Sequence, residues 1–222
     1  MPIPEEYARP GSHCPTYWDL RGRRKGKPRL STYLPHGLAK TRVHNDPEFK
    51  TFTYGHIGNR LRDLSRGDIL VFYAGLEPYD FKNEDLKQRY IVGYFEVEKA
   101  DFAIKFEPGC RSRLLDHAFS KNQHVSYRDF TKECKRKKGA LFLVKGRKSG
   151  SRLLMKGQPI SERRIITCTR DGKKNKMTRY RLSKTMVKEF GVDWGDITMA
   201  VPHWIRDERY AKRVWKWLRK LQ

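Results

Sequence analysis

HNDPEFKTFTYGHIGNRLRDLSRGDILVFYAGL, residues 44–76, followed after a charged detour by RYIVGYFEVEK, residues 89–99, is the stretch on which the fold turns. The unbroken apolar run Ile69, Leu70, Val71, Phe72, Tyr73 follows the turn signal Arg66-Gly67-Asp68 and is too short for a helix, so it predicts a buried strand. In the second run Ile91, Gly93, Phe95 and Val97 alternate with Tyr90, Tyr94, Glu96 and Glu98, the period-two signature of a strand with one buried face. The two strands are expected to pair. Ahead of them Ile57, Leu61 and Leu64 recur at helical spacing with Asn59, Arg60, Arg62 and Asp63 between, which predicts a two-turn helix with a polar face open to a ligand.

A helix with an Asn and two Arg, then Gly-Asp and an apolar strand ending in Phe-Tyr, then a Val-Gly strand followed by Glu-Val resembles the PUA-like group that includes the EVE and ASCH domains. More narrowly, His44-Asn45-Asp46-Pro47-Glu48-Phe49, Phe52-Thr53-Tyr54-Gly55 and Gly67 through Leu76 look like the nucleotide-modification-associated domain Nmad3, a match over about a quarter of the chain. The resemblance implies a small β-barrel that binds RNA or modified bases in DNA, and it implies no particular reaction. The insertion from Leu76 to Arg89 and the long basic C-terminal half are not part of a minimal EVE-like domain.

The chain has 222 residues with 49 Lys or Arg against 25 Asp or Glu, a formal charge of +24. Such an excess concentrates phosphate and releases counterions from nucleic acid, giving salt-sensitive affinity whatever the base sequence. A solubilising or heat-adapted surface would carry the two signs nearer balance. Nucleic acid, DNA or RNA, is therefore the expected partner. The length and the 37% apolar content suffice for a core. No segment reaches the roughly 18 apolar residues that span a bilayer, and MPIPEEYARP lacks the plan of a signal peptide, so no membrane association and a cytoplasmic location are expected. Cys14, Cys110, Cys134 and Cys168 are widely spaced, which suits reduced thiols rather than a zinc site or a disulfide framework.

Residues 1–29 contain five prolines and end in a cationic stretch, and are expected to form a basic arm, anchored by Tyr17, Trp18 and Leu20. Residues 30–222 are expected to form one domain with a basic C-terminal extension. Leu30 to Leu34 has strand composition, 111–119 suits a short helix, and Ala140 to Val144, Arg152 to Met155 and Ile165 to Thr169 suit short strands. Ser183 is a good N-cap for a helix to Phe190, and Gly191 suits its left-handed end. A last helix from about Asp207 to Leu221 places Tyr210, Val214, Trp217, Leu218 and Leu221 on one stripe and cations on the other, with Trp217 expected in the core. The fold class is then α+β: a small PUA-like β-barrel with peripheral helices and a basic C-terminal helix.

Among candidate site residues, His44 and Asp46 suit a turn, a base contact, or a metal or acid–base role. Tyr54, Tyr73 and Tyr94 offer rings for a nucleobase to stack on, although tyrosines in such strands also serve the core. Asn59, Arg60 and Arg62 can read an amide edge or clamp phosphate, or lie as solvated helix charge. Lys145, Arg147, Lys148, Arg152, Lys156, Arg163 and Arg164 form a basic ribbon, and Lys212, Arg213 and Lys216 line the last helix; these are the expected phosphate contacts. Gly146-Arg147-Lys148-Ser149-Gly150 and Arg170-Asp171-Gly172-Lys173-Lys174 lack a phosphate-loop framework and read as basic turns. No nucleophile elbow, deaminase signature or metal motif stands out, so no cofactor and no metal are expected. The expected role is a binding module that recognises one nucleotide, modified or flipped, in a pocket. The rivals are a nucleotide-modifying or nucleic-acid-cleaving enzyme using His44 and Asp46, and a structural RNA-associated basic protein.

Overall fold

The computed structural model describes residues 3–4, 43–44, 47–57, 60–76, 87–103, 119, 122, 141–170, 173–197 and 203–221. In chain order its elements are β1 (Ile3–Pro4), β2 (Val43–His44), β3 (Thr53–Ile57), β4 (Ile69–Leu76), β5 (Gln88–Ala103), β6 (Leu141–Gly146), β7 (Arg152–Pro159), β8 (Ser161–Arg170), β9 (Lys173–Leu182), α1 (Lys184–Phe190) and α2 (Glu208–Leu218). The class is α+β, as expected. Among the described residues no strand pairing closes a barrel. No described helix is long and apolar enough to cross a membrane. The chain divides into two compact units, one of Met1–Asp68 with Glu96–Gly150 and one of Ile69–Phe95 with Ser151–Gln222.

In the first unit β6 lies between β3 and the second half of β5, antiparallel to both. Leu141, Phe142, Leu143 and Val144 are all buried, so both faces of β6 are covered, as a continuous apolar run requires. The Arg66-Gly67-Asp68 turn forms as its residues predict. Gly67 takes a left-handed φ of 94° and donates its N–H to Val97 O at 2.8 Å, while Asp68 accepts from Ser65 N–H at 2.7 Å. Of the two-turn helix expected over Ile57 to Leu64, the described residues 60–64 form a single turn. Ile57 ends β3, which leaves Leu61 and Leu64 as the buried apolar pair, joined by Leu64 N–H to Leu61 O at 3.1 Å; one turn is too short to propagate. At the N-terminus β1 pairs with β2, placing Ile3 opposite His44.

In the second unit β4 runs beside the first half of β5, with β7 on the other side of β5. Phe72 and Phe95 are buried and meet edge to face, ring centroids 4.7 Å apart. A core cluster joins Ile91, Tyr94, Leu154, Ile160, Leu182, Met186, Phe190, Ile197, Val214 and Leu218. Tyr94 corrects the one-faced reading of β5. Its ring is buried and stands edge-on to Trp215 of α2 at 5.4 Å, so both faces of the strand are covered there. On α2, Leu218 is the fully buried residue and Trp217 only half so, its ring 6.3 Å from Phe190.

Helix α1 begins and ends as its sequence dictates. Ser183 Oγ accepts from Met186 N–H at 3.3 Å, and Gly191, at φ 70°, donates to Val187 O at 2.9 Å. A Cβ on Gly191 would also strike the Tyr210 ring. Gly191→Ala is therefore expected to cost about 3 kcal/mol, from the left-handed backbone and the displaced ring together, read as a lower Tm in thermal unfolding.

His203 stacks on Trp194, centroids 4.8 Å apart, and its Nε2 is buried without a hydrogen-bond partner among the described residues. Burial holds this imidazole below its usual range. Unfolded chains then take up the proton first as pH falls, so this contribution to stability is present above about pH 6.5 and is lost on descending toward the lower folded pKa. The drop in Tm between pH 7.5 and 5.5 should be shallower in His203→Gln than in the wild-type protein.

Candidate nucleic-acid interface

The loop ahead of β3 is a closed polar network. Glu48 N–H donates to Thr53 O at 2.8 Å and Thr53 N–H to Glu48 O at 3.0 Å, pinching residues 49–52 into a loop that Phe52 completes at a left-handed φ of 54°. The buried Glu48 carboxylate accepts from Lys50 N–H and Thr51 N–H, each at 2.7 Å, and from Thr51 Oγ1. Asn122 Nδ2 donates to Thr53 Oγ1 at 3.3 Å, and Lys145 Nζ donates to Thr51 O. Every member has a partner, so the network fixes the loop and fixes the start of β3.

From there β3 sorts its side chains by alternation. Thr53 and Gly55 are buried, while Tyr54 and His56 share the other face, half-buried, with rings 6.4 Å apart and 19° from parallel. Sequence reasoning missed His56, although its place two residues after Tyr54 puts both rings on one side of the strand. Arg60 is exposed after β3, and the exposed Arg62 meets Asp63 at 3.3 Å. His44 lies in β2; its side chain, and all of Asp46 and Asn59, fall outside the described residues. Among the described residues no cluster of three or more His, Cys, Asp or Glu is placed to hold a metal ion.

Tyr73 belongs to the second unit, in β4, where burial raises its pKa against an opposing effect of Arg89. Arg89 itself is a residue the sequence did not single out. Its guanidinium lies over the Tyr180 ring, 4.4 Å from the centroid, and against Gly75, where any Cβ would displace it. Its backbone N–H donates to Ser161 Oγ at 2.8 Å.

The expected phosphate contacts divide by what they touch. Lys145 is used in the loop network, and Arg147 pairs with Glu96 at 3.1 Å, the carboxylate lying where Gly150 has no side chain. Lys212 pairs with Glu208 at 2.8 Å. Arg213 donates to the carbonyls of Lys188 and Glu189 and covers the Tyr210 ring at 4.7 Å, so it caps the end of α1. Arg163 is half-buried in β8 opposite Tyr180. Lys148, Arg152, Arg164 and Lys216 are exposed and meet no carboxylate among the described residues.

Strand β9 supplies further cations. Lys173, Lys174 and Lys176 are exposed without a carboxylate partner among the described residues, whereas Arg179 meets Asp196 at 3.7 Å and Arg181 pairs with Asp193. That last pair holds the Asp193 carboxyl below its ordinary range. Asp171-Gly172, a two-residue hairpin-turn sequence, was the signal available for this strand.

The family described as nucleotide modification associated domain 3 matches residues 1–216. The chain belongs to this family. The match takes in the insertion after Leu76 and the basic C-terminal half, which a minimal EVE-like domain lacks, and the family's description links the protein to nucleotide modification. No curated protein and no solved structure matches the chain.

Proposed function

We propose that this Nmad3 protein is a nucleic-acid-binding module that takes one nucleotide, modified or flipped from its stack, into a pocket of a PUA-like domain while its basic surfaces hold the phosphate backbone. The unneutralised charge carries the reading. In a chain of +24, Lys148, Arg152, Arg164, Lys173, Lys174, Lys176 and Lys216 meet no carboxylate among the described residues, and like charges left without counterions favour a polyanionic ligand. The family description points that ligand toward nucleotides. Specificity is assigned to the Tyr54 and His56 rings and to Arg60, which follows β3 in the chain, since a ring face accepts any base and a guanidinium fork distinguishes donors from acceptors. Affinity is assigned to the lysines and arginines, which touch phosphate without reading sequence.

The test is a panel of oligonucleotides with and without modified bases, titrated against wild-type protein and Tyr54→Ala, with circular dichroism to show that the variant folds. Loss of a stacking ring is expected to cost about 1–3 kcal/mol, roughly five- to 150-fold, on the preferred base and much less on the others. Equal losses on every oligonucleotide would assign Tyr54 to structure or backbone binding. Turnover of the substrate that vanishes in folded His44→Ala and Asp46→Ala variants would replace the module by an enzyme.

A further inference from the structure

Strands β8 and β9 pair over ten rungs, from Ser161 opposite Leu182 to Arg170 opposite Lys173, as a two-stranded sheet with no third strand beside it among the described residues. Opposed residues share a face, so one face carries Arg164–Arg179, Ile166–Met177 and Cys168–Asn175, and the other carries Ile165–Thr178, Thr167–Lys176 and Thr169–Lys174. Neither face is covered over this stretch. Ile165 is 60% exposed, Met177 41% and Ile166 36%, on opposite sides of the ribbon. A lone hairpin is marginal in water, and placing Arg164 directly opposite Arg179 weakens it further. The ribbon from Ser161 to Leu182 holds eight Lys or Arg against Glu162 and Asp171. Among the described residues its ion pairs lie at one end: Arg181 and Arg179 meet Asp193 and Asp196, whereas Arg164, Lys173, Lys174 and Lys176 meet no carboxylate.

Exposed apolar side chains between unneutralised cations need a partner with an apolar floor and anionic walls. The major groove of B-form DNA is such a partner: it is about 12 Å wide, admits a two-stranded ribbon, and presents thymine methyls between rows of phosphate. A-form RNA has a major groove too narrow and deep for side chains to read, and a single strand offers no second wall. From Arg164 to Arg170 the ribbon spans about 20 Å at roughly 3.3 Å per residue, the rise of about six base pairs.

We propose that the β8–β9 ribbon inserts into the major groove of duplex DNA, with Ile166 and Met177, which share a face, against the base edges and Arg164, Lys173, Lys174 and Lys176 on the flanking phosphates. This rests on the nucleic-acid reading above and specifies the duplex and the groove.

The experiment uses the full chain with a 20-base-pair DNA duplex, the RNA duplex of the same sequence and one DNA strand, followed by fluorescence anisotropy across salt and by dimethyl sulfate protection of guanine N7, a major-groove atom. The wild-type protein should protect N7 over about half a turn. Lys173→Ala/Lys174→Ala/Lys176→Ala, all at exposed positions, should weaken duplex binding at least tenfold, flatten the log–log salt slope by roughly 2 to 3 at about 0.9 per lost contact, and abolish the protection. Ile166→Glu should lose protection as well while keeping the wild-type circular dichroism. If both variants bind and protect as the wild type does, the ribbon inference falls and the nucleic-acid reading stands. If the wild-type protein binds no nucleic acid, both fall. Tighter binding to the RNA duplex or the single strand, or a DNA-independent dimer lost in the variants, would give the ribbon to RNA or to a second copy of the chain and overturn the proposal.

Discussion

Phe95→Ala is expected to remove about 4 kcal/mol of unfolding free energy, close to a thousandfold in the folding equilibrium. Phe95 is fully buried on β5 and its ring meets Phe72 of β4 edge to face at 4.7 Å. Truncation therefore loses the transfer of a whole ring from water, leaves a cavity the strands cannot collapse into, and forfeits the ring–ring contact. A domain of ordinary stability has about 5–15 kcal/mol to lose, so the variant should unfold at markedly lower urea with little change in slope. Phe95→Leu keeps most of the volume and should cost about 1.5 kcal/mol or less. A loss under about 1 kcal/mol for the alanine variant would contradict the burial of this strand.

That prediction rests on elements legible in the chain itself. Ile69 to Phe72 and Ile91 to Val97 announce strands because burial leaves a periodic apolar record, and Ser183 and Gly191 announce the ends of α1 because capping needs those side chains or the lack of one. Strand β9 was illegible for the converse reason. KKNKMTRYRL is exposed along most of its length, so no buried face wrote alternation into it, and the only apolar anchors come late, at Tyr180 and Leu182. Tyr94 was placed on a solvated face because its register says nothing of Trp215, more than a hundred residues away, which covers it. The same limit applies to charge. Lys145, Arg147 and Arg213 look in sequence like free cations, yet each is taken up by a carbonyl or carboxylate brought to it by folding. The family resemblance at residues 44–76 survived because it sits on the loop, turn and strand whose local chemistry is self-contained; the Glu48 network needs only the 48–53 loop plus Lys145 and Asn122.

Raising salt from 50 to 200 mM is expected to weaken nucleic-acid binding about a thousandfold, provided that six phosphates are contacted. The number follows from the cations left over by folding. Lys148, Arg152, Arg164, Lys173, Lys174, Lys176 and Lys216 are among the described cations that meet no carboxylate, and engaging six such cations gives a log–log slope of about −5 on a duplex. The partition between spent and unspent cations makes this sharper than a charge of +24 alone would. Lys176→Ala should reduce the slope by about 0.9 and leave Tm unchanged, because Lys176 is exposed and holds nothing together. Arg213→Ala should do the reverse, lowering Tm by uncapping α1 while the slope stays within error, because its guanidinium is already committed to the Lys188 and Glu189 carbonyls. If Arg213→Ala flattened the slope as much as Lys176→Ala, the helix cap would have to open on binding. If neither moved it and the wild-type slope lay near zero, the affinity would not be electrostatic, and the leftover charge could not be what selects the ligand.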